Sequence, residues 1–127
     1  FLTPADSLSA NPDRLLHDAK QVALGLARAG YRPPRPRADI PALGRPALTT
    51  FKMGIYNASR GGQISEHDAM VATHVATILC GGDRAPGTIS EQGLLDLERE
   101  AFLSLLGTKK TRDRIQHMLK EGKPLRN

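Results

Sequence analysis

The sequence contains no tryptophan, and aromatic residues make up only 4% of its 127 positions. Proteins that hold single-stranded nucleic acid rely on aromatic platforms for base stacking, so this scarcity counts against that class. There is one cysteine, Cys80. No internal disulfide can form, which fits a reducing compartment. No apolar run is long enough to span a bilayer, and no charged-then-apolar signal segment opens the chain. A cytoplasmic location is the expectation. The first residue is Phe1 and not Met, which suggests a cut from a longer polypeptide.

Several chemical signatures are also missing. There is no His-Glu-x-x-His pair, no cysteine cluster suited to zinc, no G-x-G-x-x-G turn and no phosphate loop. His67 and His74 lie seven residues apart and share a helical face, but two ligands do not make a metal site, so no metal is expected. Cys80 has no surrounding nucleophile motif and reads as a buried structural thiol. No catalytic residue is assigned.

What the chain does have is an excess of positive charge, +5 in total, and a hydrophobic fraction of 39% rich in alanine and leucine. Such a balance suits nucleic acid, a membrane surface or an anionic ligand such as a CoA or nucleotide phosphate. Acidic residues are mixed through the helical stretches, which favours a solvated surface of mixed charge. The apolar content fills a helical core but not a thick one, leaving apolar surface for a partner chain or a further domain.

The expected fold is all-α, with about five helices, one long connector and no strand signal of comparable strength. Asn11-Pro12-Asp13 carries a cap, a proline suited to the first helical position and an acid suited to the positive helix end. Leu15, Leu16, Ala19, Val22, Ala23, Leu26 and Ala27 then form one apolar stripe, closed by Gly30. Residues 1–30 are the first segment, with an extended lead-in over 1–10. Residues 31–46 hold five prolines and four arginines and make a stiff extended connector. Residues 47–127 form the helical remainder, all within a single helical region. In it, Leu48, Phe51, Ile55 and Ala58 share a face before Gly61-Gly62. Ser65 and Asp68 resemble a capping box for a helix over 65–80. Ser90 caps a fourth helix, and Thr108 or Thr111 a fifth. Gly107 separates these two, and Gly122 with Pro124 stops the last.

Two features of the final helices bear on function. Glu98 falls inside the apolar arc of Leu94, Leu95, Leu97, Ala101, Phe102, Leu105 and Leu106, so an ionic or backbone partner is expected for it. Lys109 and Lys110 lie near a helix N-terminus, where free N–H groups and positive charge together suit a phosphate. A solvated basic face explains the same lysines.

Residues 64–83 (ISEHDAMVATHVATILCGGD), 90–111 (SEQGLLDLEREAFLSLLGTKKT) and 114–127 (RIQHMLKEGKPLRN) resemble the C-terminal end of bacterial 3-hydroxyacyl-CoA dehydrogenases fused to an enoyl-CoA hydratase-like, or crotonase-like, domain of fatty-acid β-oxidation. The stretch from Asp18 to Arg37 is similar to the same region. The resemblance implies a helical C-terminal fragment of a crotonase-like domain that covers the core, aids subunit association and contributes to an acyl-CoA pocket. The Ala101-Phe102 pair with basic residues after it is similar to a crotonase ending. Phe102, Lys109 and Lys110 are thereby candidate CoA contacts. NAD and acyl-CoA are implied for the parent protein and no cofactor for this fragment, which is expected to be inactive alone. Its implied partners are the dehydrogenase and crotonase cores and a second copy of itself.

Two other readings of the residues stay open. One is an independent helical interaction module that uses the arginine and proline strap for recognition. The other is a basic nucleic-acid binder; mixed charge and the missing aromatics count against it, and no nucleic-acid partner is expected.

Overall fold

A computed structural model describes residues 6–127; the first half of the expected lead-in, residues 1–5, lies outside the described residues. The chain divides into two compact units, Phe1–Arg35 and Pro36–Asn127.

The described part of the first unit is one helix and its approach. Asn11 sits in extended backbone, and its side chain accepts from the Asp13 N–H, opening a 3-10 turn over Pro12–Arg14. Helix α1 (Leu15–Arg28) follows directly. The Ser9 hydroxyl donates to Asp18 at 2.7 Å, and Arg14 pairs with Asp18 one turn on. The expected apolar stripe is present, yet no residue of α1 is buried. Leu16 is 83% exposed, so the stripe has no cover within its unit.

The second unit contains β1 (Ile40–Ala42), α2 (Gly44–Arg60), α3 (Glu66–Leu79), β2 (Gly87–Ile89), α4 (Glu91–Leu106) and α5 (Lys109–Glu121). The five helices bear out the expected fold class, and a short two-stranded sheet is added to them. β1 and β2 pair antiparallel, with Ile40 opposite Ile89, Pro41 opposite Thr88 and Ala42 opposite Gly87. Pro41 is tolerated because a two-stranded ladder leaves each strand an open edge for a residue with no N–H. Ala42 and Ile89 turn inward and are buried.

The connector is also shorter than expected, because α2 begins at Gly44 and takes in Arg45 and Pro46. A proline in the first helical turn loses nothing, since its N–H would have no partner there. Gly44 has φ +65°, a region closed to most side chains, and it packs against the backbone of Arg84, Ala85 and Pro86. Its N–H donates to the Cys80 carbonyl at 2.9 Å, and the Arg45 N–H donates to the Arg84 carbonyl at 2.6 Å. The start of α2 is thus stitched to the loop after α3.

The core lies between α2 and α3. Leu48 and Cys80 are the largest fully buried side chains, with Ala76 beside them and Ala47 and Ile55 packed around. Full burial of one such leucine is worth roughly 1.5–3 kcal/mol. Phe51, expected on the same face, is instead exposed, as are Val75 and Leu79 on α3. Cys80 is free and buried, as a structural thiol should be. No helix among the described residues is long and apolar enough to cross a membrane.

Candidate functional site

Of the three candidate CoA contacts, Lys109 and Lys110 open α5 just after the turn from α4, and Phe102 lies within α4 before it. Thr108 caps α5 by accepting from the Thr111 N–H, while its own hydroxyl donates to the Leu105 carbonyl. Arg112 reaches back across the turn and donates to the carbonyls of Leu106 and Gly107 at 2.8 and 3.1 Å. The last carbonyls of α4 therefore have a cationic donor, which ties the two helices at a fixed corner.

Lys109, the first residue of α5, is exposed and donates to Asp113 at 2.7 Å. Lys110 is exposed beside it, and its carbonyl accepts from the Asn127 side chain. Phe102 is 52% exposed on α4, about a turn and a half before the corner. It lines a shallow groove of about 360 Å³ with Leu95, Glu98 and Arg99, all on α4.

Glu98 departs from expectation. It is exposed, and no ion pair within the described residues involves it. The apolar arc of α4 is wider than the face that packs: Ala101 is buried and Leu94, Leu97 and Leu105 are half-buried, while Leu95, Phe102 and Leu103 stay exposed. Glu98 belongs to the uncovered edge, where water solvates it and no partner is required.

The densest polar cluster joins α3 to α5 and the last residues. Ser65 accepts from the Asp68 N–H, and the Asp68 carboxylate accepts from the Ser65 N–H, completing the capping box. Arg114 donates to the other oxygen of Asp68 at 2.7 Å and to the Asn127 side chain at 2.8 Å. It donates as well to the Asn127 main-chain oxygen. The hydrogen bonds from Arg114 and Ser65 hold the Asp68 carboxyl at about 2, well below its ordinary value.

His67 faces the same seam. It is 4% exposed, and its Nε2 lies 3.0 Å from the Thr111 hydroxyl, which in turn contacts the Thr108 hydroxyl. Burial lowers the His67 pKa; the cations of Arg114 and Lys110 push the same way, against the Asp68 carboxylate. The sequence gives no direct signal for this seam, since its partners are 44 and 46 residues apart. Asp68 does show itself as a capping acid, and Thr108 and Thr111 as caps.

A second ion pair, Arg45 with Asp83 at 2.6 Å, ties the start of α2 to the loop after α3. The Arg45 hydrogen bond lowers the Asp83 pKa. Among the described residues, no group of three or more His, Cys, Asp or Glu side chains is placed to hold a metal ion. His74 lines a separate cleft of about 380 Å³ with Asp83, Glu100 and Ser104, away from the His67 seam.

No family model matches the chain, and no solved structure matches it. The chain is 44% identical over 129 aligned residues to a protein of Bacillus subtilis (strain 168) named "Probable 3-hydroxyacyl-CoA dehydrogenase". That similarity takes in 100% of this chain but spans only 16% of the relative's length, so the chain resembles one portion of a much longer protein carrying that name.

Proposed function

We propose that this chain is a helical region of a larger 3-hydroxyacyl-CoA dehydrogenase, serving domain packing and subunit association. The observation that carries this is the 44% identity running through the whole chain to a relative so named. The uncovered apolar side chains support the packing role. Leu16 on α1, Met53 on α2 and Leu119 on α5 are each well over half exposed. Monomeric domains seldom leave so many large apolar groups to water.

In this reading the parent passes the C3 hydride of a 3-hydroxyacyl-CoA to NAD and releases the hydroxyl proton, giving a 3-oxoacyl-CoA and NADH. The reacting groups and the NAD site belong to parts of the polypeptide outside this chain, as does the crotonase-like core that the sequence resemblance implies. This chain supplies scaffold. It also presents Lys109 and Lys110 at the start of α5 as candidate contacts for the CoA phosphates, with Lys110 the less committed of the two.

The test is turnover. A longer polypeptide that includes this chain, supplied with NAD and a 3-hydroxyacyl-CoA, is expected to generate NADH, and the chain alone to generate none. A longer polypeptide that folds but gives no NADH overturns the assignment. Enoyl-CoA hydration assayed on the same preparation tests the crotonase-like core separately.

The second reading is an interaction module that uses the arginine and proline strap of residues 31–46 for recognition; the apolar stripe of α1, none of whose residues is buried, favours it. It predicts that this chain binds a partner outside any acyl-CoA enzyme.

A further inference from the structure

Helix α5 buries none of its residues. Its large apolar side chains, Ile115, Met118 and Leu119, are 37%, 46% and 82% exposed. Two side-chain bonds tie it to α3, Thr111 with His67 and Arg114 with Asp68. Asn127 joins the same seam through Arg114, Ser65 and the Lys110 carbonyl. The α2–α3 core, by contrast, closes over Leu48, Ala76 and Cys80. A segment with little buried apolar surface opens before the core does, so α5 is the part of this unit that parts first.

The bonds at its N-terminal end run in one direction. The Thr108 hydroxyl donates its only proton to the Leu105 carbonyl at 2.7 Å. In its 2.9 Å contact with Thr111 it therefore accepts, and the Thr111 hydroxyl donates. With that proton used, the Thr111 oxygen accepts from the His67 ring across 3.0 Å. The neutral ring thus carries its proton on Nε2 and its lone pair on Nδ1. A second proton can enter only at Nδ1, and three features of the fold resist it. The ring is 4% exposed. The charged groups acting on it are Arg114 and Lys110 from α5, opposed only by Asp68 of its own helix. It is also the second residue of α3, at the positive end of the helix dipole. Swinging α5 away gives the ring to water and takes both cations with it. The released imidazole accepts a proton more readily than the docked one, so acid favours release.

We propose that α5, with residues 122–127, is a detachable latch on α3, and that a proton on Nδ1 of His67 shifts it towards release while the α2–α3 core stays closed. Asp68 stays ionised throughout the range in which an imidazole titrates. Its bond to Arg114 therefore holds the latch in either state of His67, and acid raises the opening without abolishing the closed form. Lys109 and Lys110 begin α5 and travel with it. The seam lies wholly within Pro36–Asn127 and owes nothing to the reaction of the parent protein.

Hydrogen exchange of the chain, followed by mass spectrometry and corrected for the intrinsic pH dependence of amide exchange, provides the test. From about pH 7.5 to about pH 5.5, protection of α5 is expected to fall by up to roughly tenfold, the most that an imidazole of 6.5 in the open form allows over that interval. Protection around Leu48 and Cys80 should hold. His67→Gln should make α5 protection independent of pH over the same interval, and Arg114→Ala should lower it at every pH. The comparison of α5 with the core in the unaltered chain stands whether or not either variant folds. A loss of protection shared equally by α2, α3 and α5, or α5 protection that does not change with pH, overturns the proposal. A pH dependence that survives His67→Gln belongs to another group, such as His117 of α5, and overturns it as well. The readout is exchange and not turnover, so this latch and the dehydrogenase assignment can fail separately.

Discussion

Arg114 on α5 closes to 2.7 Å on Asp68 in the first turn of α3, joining residues 46 positions apart. The same guanidinium holds both the side chain and the main chain of Asn127. One side chain thus secures a helix start and the last residue of the chain. The pair is partly covered, with side-chain exposures of 23% for Arg114 and 35% for Asp68.

Acid should therefore loosen this corner. The folded Asp68 carboxyl sits at about 2 against an ordinary 3.8. A carboxyl depressed by folding stabilises the fold at pH values above its unfolded value. That contribution declines as pH falls below about 4 and is gone once the folded carboxyl also protonates. Arg114→Ala should move the Asp68 titration upward and flatten the acid limb of a stability profile. NMR titration of the Asp68 carboxyl with acid unfolding followed by circular dichroism measures both. An unchanged Asp68 titration would show that Arg114 does not hold it.

The neighbouring histidine should give a pH effect nearer neutrality. His67 is buried and its folded pKa lies below the ordinary 6.5, so the unfolded chain binds the proton more readily. Stability is then full above about pH 6.5, and it falls as pH drops from there until the folded imidazole itself takes the proton. His67→Gln should remove that slope. Thr111→Val takes away the partner of a buried ring nitrogen and is expected to cost about 1–3 kcal/mol. Urea titrations at a series of pH values report both outcomes.

Gly44 offers a backbone test. A side-chain carbon there would collide with the Arg84 carbonyl and crowd Pro86, and the φ of +65° is itself unfavourable for any residue with a Cβ. The left-handed conformation alone costs roughly 1–2 kcal/mol, so Gly44→Ala should cost more than that. Gly54→Ala on the same helix is the control, because nothing lies within 4 Å of its added carbon. It should be neutral or slightly stabilising, since alanine is the better helix former. Equal denaturation midpoints for the two variants would count against the close packing at Gly44.

Much of this architecture is legible in the sequence wherever the signal is local. Ser65 with Asp68, Ser90 and Asn11 mark helix starts within four residues of themselves, and each accepts the capping bond its position suggests. The two strands are not legible. Each is three residues long, one has a central proline, and their pairing spans the whole of α2 and α3. The start of α2 is hidden for a related reason: Gly44 and Pro46 read as breakers until the Arg84 backbone arrives to fix them. At the candidate site, the exposed lysines of α5 and the Asp113 partner of Lys109, one turn on in the same helix, can be read from spacing, but the exposure of Glu98 depends on which helix faces meet. An apolar arc shows which side chains can be buried, and only the tertiary fold shows which of them are.

The α2–α3 core has a built-in reporter. Cys80 is the only cysteine in the sequence and is fully buried against Leu48 and Ala76. A thiol reagent must wait for the helices to part, so its rate follows the opening of this core and not of the periphery. Native protein should label slowly, and addition of denaturant should make labelling fast. Leu48→Ala removes the largest apolar group beside the thiol, and truncating a buried leucine costs about 2–5 kcal/mol. In a core this small the cost is a large share of total stability, so Cys80 labelling should accelerate markedly in that variant. Leu119→Ala, at a position 82% exposed on α5, should leave the rate unchanged. Rapid labelling of the native chain would mean that the α2–α3 interface opens freely.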